Sequence, residues 1–381
     1  DKTGHWLHLR DPYTKSLIGE LLPGQMVPVE RKARIFSHGV LTRFPFQANL
    51  HGLPPQVVSE CLLGFLAAQQ KAADAPPPRN FEEFCLQKFG AGISKHFMIP
   101  YNFKLWGVHP REITSEWCSR FVPIPKLEDV VKGAVGDVPP ELGYNISFLY
   151  PKQGGIETMT RALVARLHGG EIVTGANPEK IDLRARTLSL GGETIPWRAL
   201  VATIPMPELV RRLVDPPREI EDAAARLRCT PVRYLNVATK KPPRADWHWI
   251  YVPEEKYPFY RVGIYTNAVP AMAPAGSGSF YVELSDRGAM PKVSDILPDV
   301  AQAMVAAGAI TSADDILFAE LKELKYAYVV FDDHYYGAVA AITRFLEQHD
   351  VYPRGRYGSW IYNAMEDSIL AGREVALRLS A

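Results

Sequence analysis

The segment between residues 230 and 345 limits most strongly what this chain can fold into. It runs through VRYLNVATK, HWIYVP, FYRVGIYTN, GSFYVELS and YAYVVF, where β-branched and aromatic residues dominate. Such side chains pack well on a pleated surface and lose rotamer freedom in a helix. The runs are strand-length, so the segment reads as a twisted, mostly antiparallel sheet interrupted by one helix near 293–308.

The rest of the chain divides around that sheet. Residues 5–50 read as short strands and turns, with a hairpin over 33–47 whose turn is His38-Gly39. Residues 54–72 carry apolar residues at helical spacing behind Pro54 and Pro55. After a proline-rich break at 75–79, Asn80 caps a second helix, with Glu83 at the capping-box position and Gly90 as its stop. Residues 110–135 read as helix in pieces around Pro123 and Pro125. From Tyr150 the order is loop, helix, a Gly169-Gly170 stop and a strand at EIVTG; a hairpin over 179–197 and a buried strand ending at Pro205 follow. The last segment, from Arg354 to Ser380, is a Gly-rich turn and a long helix.

Charge and cysteine usage exclude several classes. Lys+Arg is 43 and Asp+Glu is 42, so there is no global electrostatic case for nucleic acid or an anionic membrane. Cys61, Cys85, Cys118 and Cys229 include no C-x-x-C pair, which supports neither a zinc site nor a disulfide framework and fits a reducing, cytoplasmic setting. His8 and His334 have no metal-like partners at useful spacing, so no metal is expected. No apolar run approaches the ~20 residues of a membrane span, and DKTGHWLHLRDPY has no signal-peptide pattern. The 32 prolines imply long irregular connections.

The ending carries chemistry. In GRYGSWIYNAMEDSILAGREVALRL, a Gly-rich turn at Gly355 and Gly358 leads through Asn363 into a helix, whose N-terminus can hold an anion or a polar ring edge. Pattern alone reads equally well as a capped terminal helix. With PFQANL (45–50), HFMIPYNFKLWGV (96–108), YPKQGG (150–155), WIYVPEEKYPFYRVGIYTN (249–267) and FDDHYYG (331–337), in that order, it resembles the UDP-galactopyranose mutase family. The likeness is to the eukaryotic-type branch, within the FAD-dependent protoporphyrinogen oxidase and amine oxidase superfamily.

The resemblance implies an FAD-dependent nucleotide-sugar mutase, isomerising a UDP-sugar between pyranose and furanose through a flavin N5–sugar adduct. It implies that Gly4 and His5 lie against the flavin, with His5, Arg261 and Arg356 in catalytic positions. A diphosphate suits the planar fork of arginine, and Arg261 and Arg356 match phosphate-binding arginines of the family. Tyr251, Tyr335 and Tyr362 match phosphate-bonding tyrosines. Phe46 and Gln47 match the uracil site, and Met98, Asn102, Trp106 and Asn145 match further positions of the nucleotide-sugar cleft. Gly154, Gly155, Gly355, Tyr362, Asn363, Met365, Glu366 and Ser368 match cofactor contacts. On pattern alone, Met98 and Trp106 read as core, Tyr251 as strand packing and Asn145 as a turn residue.

Three departures accompany these matches. Phe121, beside Arg120, stands where the family has an active-site arginine, and Ala268 stands where the eukaryotic-type enzymes have a tyrosine. No G-x-G-x-x-G turn occurs; the chain begins almost at the Gly-His loop, so the first βαβ unit of the dinucleotide fold is expected to be absent. The expected fold is therefore an α/β flavoprotein of the Rossmann-like FAD/NAD(P)-binding class lacking that unit. Its FAD-binding part is placed at 1–22, 148–205 and 350–381, a helical domain at 53–147, and the sheet domain at 23–52 and 206–349. Two other readings stay open at this point: an FAD-dependent oxidoreductase of the protoporphyrinogen oxidase or amine oxidase type, and a truncated or degenerate non-catalytic homologue. The expected partner is a nucleotide sugar or other small molecule.

Overall fold

The computed structural model describes the chain except residues 74, 117–121, 138–145, 168–171 and 381. Phe121, Arg120 and Asn145 lie outside the described residues. The chain forms two compact units. The first comprises residues 1–6, 25–158 and 231–325, the second 7–24, 159–230 and 326–381.

The first unit is built on a seven-stranded sheet. Its strands run in the order Ile316–Val329, Cys229–Thr239, Gly278–Leu284, Phe259–Ile264, Trp249–Tyr251, Ala33–Ser37 and Val40–Arg43. All the pairings from Cys229–Thr239 onward are antiparallel except Trp249–Tyr251 with Ala33–Ser37, which is parallel. The expected hairpin is present: Ser37 pairs with Val40, and His38 and Gly39 take φ +54° and +75°. Two positive φ values make the primed turn that matches strand twist, and a glycine takes one of them at no steric cost.

Period-two alternation assigns the faces. Ile250, Val262, Ile264, Phe280 and Val282 share a core with Val300 and Met304 of the helix Val293–Ala306. Trp249 belongs to the opposite face, with Ala33, Phe148, Tyr150 and Ala268. A register shift between Phe259 and Arg261 keeps Phe259 in the first core while Arg261 faces the other way. The same unit carries helices Pro55–Lys71, Phe81–Ile93, Ile99–Trp106 and Leu127–Val135. Asn80 accepts from Glu83 N at 2.9 Å, as expected of the cap; the Glu83 carboxylate instead accepts from Arg79 N, also at 2.9 Å. Gly90 takes φ +76° and ends the first helical stretch, although the chain turns straight back into helix.

His248 joins the parallel strands. Its Nδ1 accepts from Lys32 N at 2.9 Å, and its own N–H donates to Lys32 O at 2.8 Å. Burial pushes its pKa down to about 4. The unfolded chain then binds more protons than the folded one between the ordinary histidine value and about pH 4. The stability this neutral ring provides is complete above pH ~6.5 and is lost as pH falls through about 4, at most ~3 kcal/mol. His248→Asn keeps an acceptor for Lys32 N. Urea unfolding should show that this variant loses ~3 kcal/mol less than the parent between pH 7 and pH 4; equal losses would remove His248 as the cause.

The second unit contains a helix that the sequence reading placed among strands and turns, Pro12–Leu21. Asp11 accepts from Tyr13 N and Thr14 N, and Pro12 occupies the first turn, so a local start signal is present. A three-stranded antiparallel meander, Lys180–Asp182, Thr187–Leu190 and Glu193–Pro196, replaces the expected two-stranded hairpin. The expected buried strand is only Leu200–Ala202, parallel to Val351–Pro353, and Val201 is exposed because one partner strand covers so little of it. No strand occurs over 172–175, the described part of EIVTG. Helices Arg218–Arg226 and Tyr335–Glu347 pack together, and Met365–Ser380 closes the chain. Among the described residues, no helix is long and apolar enough to cross a membrane.

Candidate functional site

In the first unit, the sheet face opposite the Val293–Ala306 helix gathers polar and aromatic side chains into two rows. Tyr251 pairs with Arg261, Arg261 with Glu283, and Glu283 with Tyr234. One step along, Trp249 pairs with Gly263, Gly263 with Tyr281, and Tyr281 with Asn236. Arg261 donates from Nε and Nη2 to the two Glu283 carboxylate oxygens at 2.9 and 2.6 Å. Glu283 is only 1% exposed, so a planar bidentate pair is what keeps its charge there. The sequence showed Arg261 alone; its partner lies 22 residues away and becomes visible only with the register.

The loop holding Gly4 and His5 lies against this face. Thr3 takes φ +65°, its carbonyl accepts from Tyr265 Oη at 2.9 Å and from His5 N at 3.1 Å, and the His5 side chain is exposed. A Cβ on Gly4 would overlap Tyr281 Oη and the Trp6 indole nitrogen. Tyr281 cannot yield, because it is buried and Gly263 already accommodates its ring. Trp6 holds the loop from the other side, among Phe148 at 4.7 Å, Tyr150 at 5.0 Å and Trp249 at 6.0 Å between ring centroids.

The predicted uracil and sugar residues assemble around an aromatic ladder. Phe46 stacks on Phe97 at 5.0 Å, Phe97 on Tyr101 at 5.2 Å, and Tyr101 meets Tyr251 edge-on at 5.3 Å. Phe97 and Tyr101 were not singled out in the sequence, although their i, i+4 spacing places them on one helical face. Gln47 Nε2 donates to Pro123 O at 2.8 Å, and Asn102 Nδ2 to Met98 O at 2.7 Å. Met98, Asn102 and Trp106 are all buried. Gly154 and Gly155 have φ +77° and +68°, and Ile156 N donates to the Asp1 carboxylate at 3.1 Å beside them.

Lys104 organises this half without having been foreseen. Its Nζ donates to the carbonyls of Glu254, Tyr257 and Phe259 at 2.8, 3.1 and 2.7 Å. Burial pushes its pKa down to about 7, with Glu254 and Glu255 pulling the other way. It thus ties the loop between Tyr251 and Arg261 to the helix that bears Asn102 and Trp106.

In the second unit, the predicted residues crowd the turn before the last helix. Gly355 has φ +75°. Arg356 donates from Nη1 to Asn363 O and from Nη2 to Ala327 O, both at 3.0 Å, and lies 4.8 Å from the Tyr362 ring centroid. Tyr335 Oη donates to Trp360 O at 2.6 Å. Tyr362 stacks on Tyr328 at 6.2 Å. At the start of Met365–Ser380, Ala364 N donates to Asp367 at 2.8 Å, and Asn363 Nδ2 donates to Ser368 Oγ at 3.3 Å. Glu366 turns to Arg10 N, Asp11 N and Thr14 Oγ1, at 2.6, 2.9 and 2.6 Å.

Asn363 fits a flavin anchor. It is buried at a helix N-terminus, and its Oδ1 has no hydrogen-bond partner among the described residues. A buried acceptor without a donor costs roughly 1–3 kcal/mol, which a ring N–H of a bound group would recover. Gly355, Tyr362, Met365 and Ser368 surround it along the chain, while Glu366 serves the Asp11 turn.

A family profile described as flavin containing amine oxidoreductase matches residues 64–376. Among solved structures, the chain is similar to reduced UDP-galactopyranose mutase, at 25% identity and a TM-score of 0.92, over 99% of this chain and 83% of that one. It is similar to cyclohexylamine oxidase from Brevibacterium oxydans IH-35A at 15% identity and TM-score 0.63, over 98% of this chain and 86% of that one. Putrescine oxidase bound to putrescine is similar at 13% identity and TM-score 0.64, over 99% and 87%. The two oxidases share the fold.

Proposed function

This chain belongs to the flavin-containing amine oxidoreductase family, and from that premise we propose that it is a flavin-dependent mutase acting on a nucleotide sugar. The observation that carries the reading is the row Tyr251–Arg261–Glu283, a phenol beside a planar cation on a buried sheet face. It occurs in a chain whose backbone matches reduced UDP-galactopyranose mutase over nearly its whole length.

When bound in its reduced form, FAD supplies an electron-rich ring nitrogen to the anomeric carbon of the sugar. Asn363, Gly355, Tyr362, Met365 and Ser368 would hold that group. Arg261 and Tyr251 would donate to a diphosphate. Because Glu283 already balances Arg261, the guanidinium acts there through directed N–H donors more than through net charge. Met98, Asn102 and Trp106 would form the wall for a sugar, beside Gln47 and Phe46, which is itself fully buried against Phe97.

A second reading, net oxidation of a less anionic substrate, is favoured by Ala268. That residue is buried among Phe148, Tyr150 and Trp249 and places a methyl where the resembled enzymes have a phenol. Absorbance of the flavin-loaded protein, with and without UDP, separates the two. A perturbed flavin band with micromolar UDP, and furanose product from a UDP-sugar under reducing conditions, support the mutase. Absence of both, together with oxygen consumption on adding an amine, supports the oxidase. Arg261→Ala would strand Glu283, so the informative variant is Arg261→Met with Glu283→Gln, which removes the pair together. Titration calorimetry should show UDP binding ~30-fold weaker, about 2 kcal/mol, with the melting temperature little changed.

A further inference from the structure

The strand Ile316–Val329 is 14 residues long and forms one end of the seven-stranded sheet; among the described residues no strand lies on its outer side. Long open edges present unpaired N–H and C=O groups and are ordinarily blunted by bulges, proline or charged side chains. This edge carries no proline, and its charges between Leu317 and Lys325 are two acidic and two basic. Leu317 and Phe318 are 60% and 58% exposed. Its charges alternate in sign: Glu320 and Lys322 share one face and pair at 3.0 Å, while Glu323 on the other face is held by Arg233 at 2.8 Å.

We propose that this strand pairs antiparallel with the same strand of a second copy of the chain, about a two-fold axis through Leu321. A two-fold perpendicular to the sheet preserves its two faces and places residues symmetric about Leu321 opposite one another. Glu320 of each copy then faces Lys322 of the other, and Phe318 faces Leu324, each pair occurring twice. On the other face Leu321 meets itself and Glu323 meets Ala319, so no like charges are opposed. Sliding the axis by one residue puts Glu320 opposite Glu320 or Lys322 opposite Lys322, which cross-strand electrostatics disfavour. The charges therefore hold the register about Leu321 against a slide of one residue either way.

The test is sedimentation equilibrium on the full chain at several concentrations, with Lys322→Glu, Glu320→Lys and the double exchange. Both residues are exposed, and circular dichroism checks each fold. The parent should dimerise. Either single variant, which opposes like charges twice, should weaken dimerisation at least about tenfold, and the double exchange should restore it. A parent that stays monomeric up to about 100 μM, or a dimer indifferent to all three variants, overturns the proposal.

Discussion

Arg356→Ala should unfold at markedly lower urea concentration than the parent and lose its flavin. The guanidinium joins three pieces of the second unit: the turn it sits in, the carbonyl of Asn363 at the mouth of the last helix, and the carbonyl of Ala327. Two charge-assisted bonds to carbonyls, roughly 1.5–3 kcal/mol each, vanish together, as does the cation over the Tyr362 ring. A loss of ~3 kcal/mol or more is expected, and the Trp360–Asn363 loop should relax. Arg356→Lys keeps the charge but cannot span both carbonyls, so it should recover less than half of that loss. Absorbance of the purified variants gives the flavin-to-protein ratio. An Arg356→Ala protein of parental stability that binds UDP poorly would show that the arginine serves the ligand alone; parental stability with normal UDP binding would remove it from the site.

This result bears on how the site could be read from sequence. The family blocks led to Arg356 and Arg261 as ligand contacts, yet each already serves the protein itself. Arg261 neutralises Glu283, and Arg356 braces a loop. A sequence shows the cation but not the carboxylate or carbonyl across the fold. Period two in GSFYVELS did offer a hint: Tyr281 and Glu283 alternate with core residues and so share the face of Gly263 and Arg261.

Local structure was legible where the chemistry is local. The His38-Gly39 turn, the Asn80 cap and the helix Val293–Ala306 follow from neighbouring residues. Pro12–Leu21 was equally local, announced by Asp11-Pro12, but the strand-like surroundings outweighed it. The edge strand was half hidden: YAYVVF marked its end, whereas LFAELKE carries charges that lower strand propensity. Those charges stand on an open edge, where strands tolerate them. Lys104 was not legible at all, because its three acceptors are backbone carbonyls from a loop about 150 residues away.

Gly92→Ala should be strongly destabilising in the first unit. The helices Pro55–Lys71 and Phe81–Ile93 approach through glycine on both sides. A Cβ on Gly92 would overlap the carbonyl of Glu60 and crowd Cys61 N; one on Gly64 would lie 2.8 Å from Gly92 N. Backbone atoms inside packed helices cannot rotate aside, so the helices must separate. Separation would loosen the contacts of Phe65, Phe81, Phe84 and Phe89, all buried at this end of the unit. Overpacking of this kind costs about 3 kcal/mol, enough to lower the melting temperature of a chain this long by ~4 °C. The chain after Gly92 runs directly into Met98, Asn102 and Trp106, so their positions should shift too. Gly19→Ala is the control: it lies in the helix Pro12–Leu21 with nothing within 4 Å of an added Cβ, and should stabilise by about 0.5–1 kcal/mol. Calorimetric melts that move in opposite directions for the two variants would establish that close helix approach, not loss of backbone freedom, makes Gly92 necessary; a Gly92→Ala melt equal to the parent's would mean the helices can part at little cost.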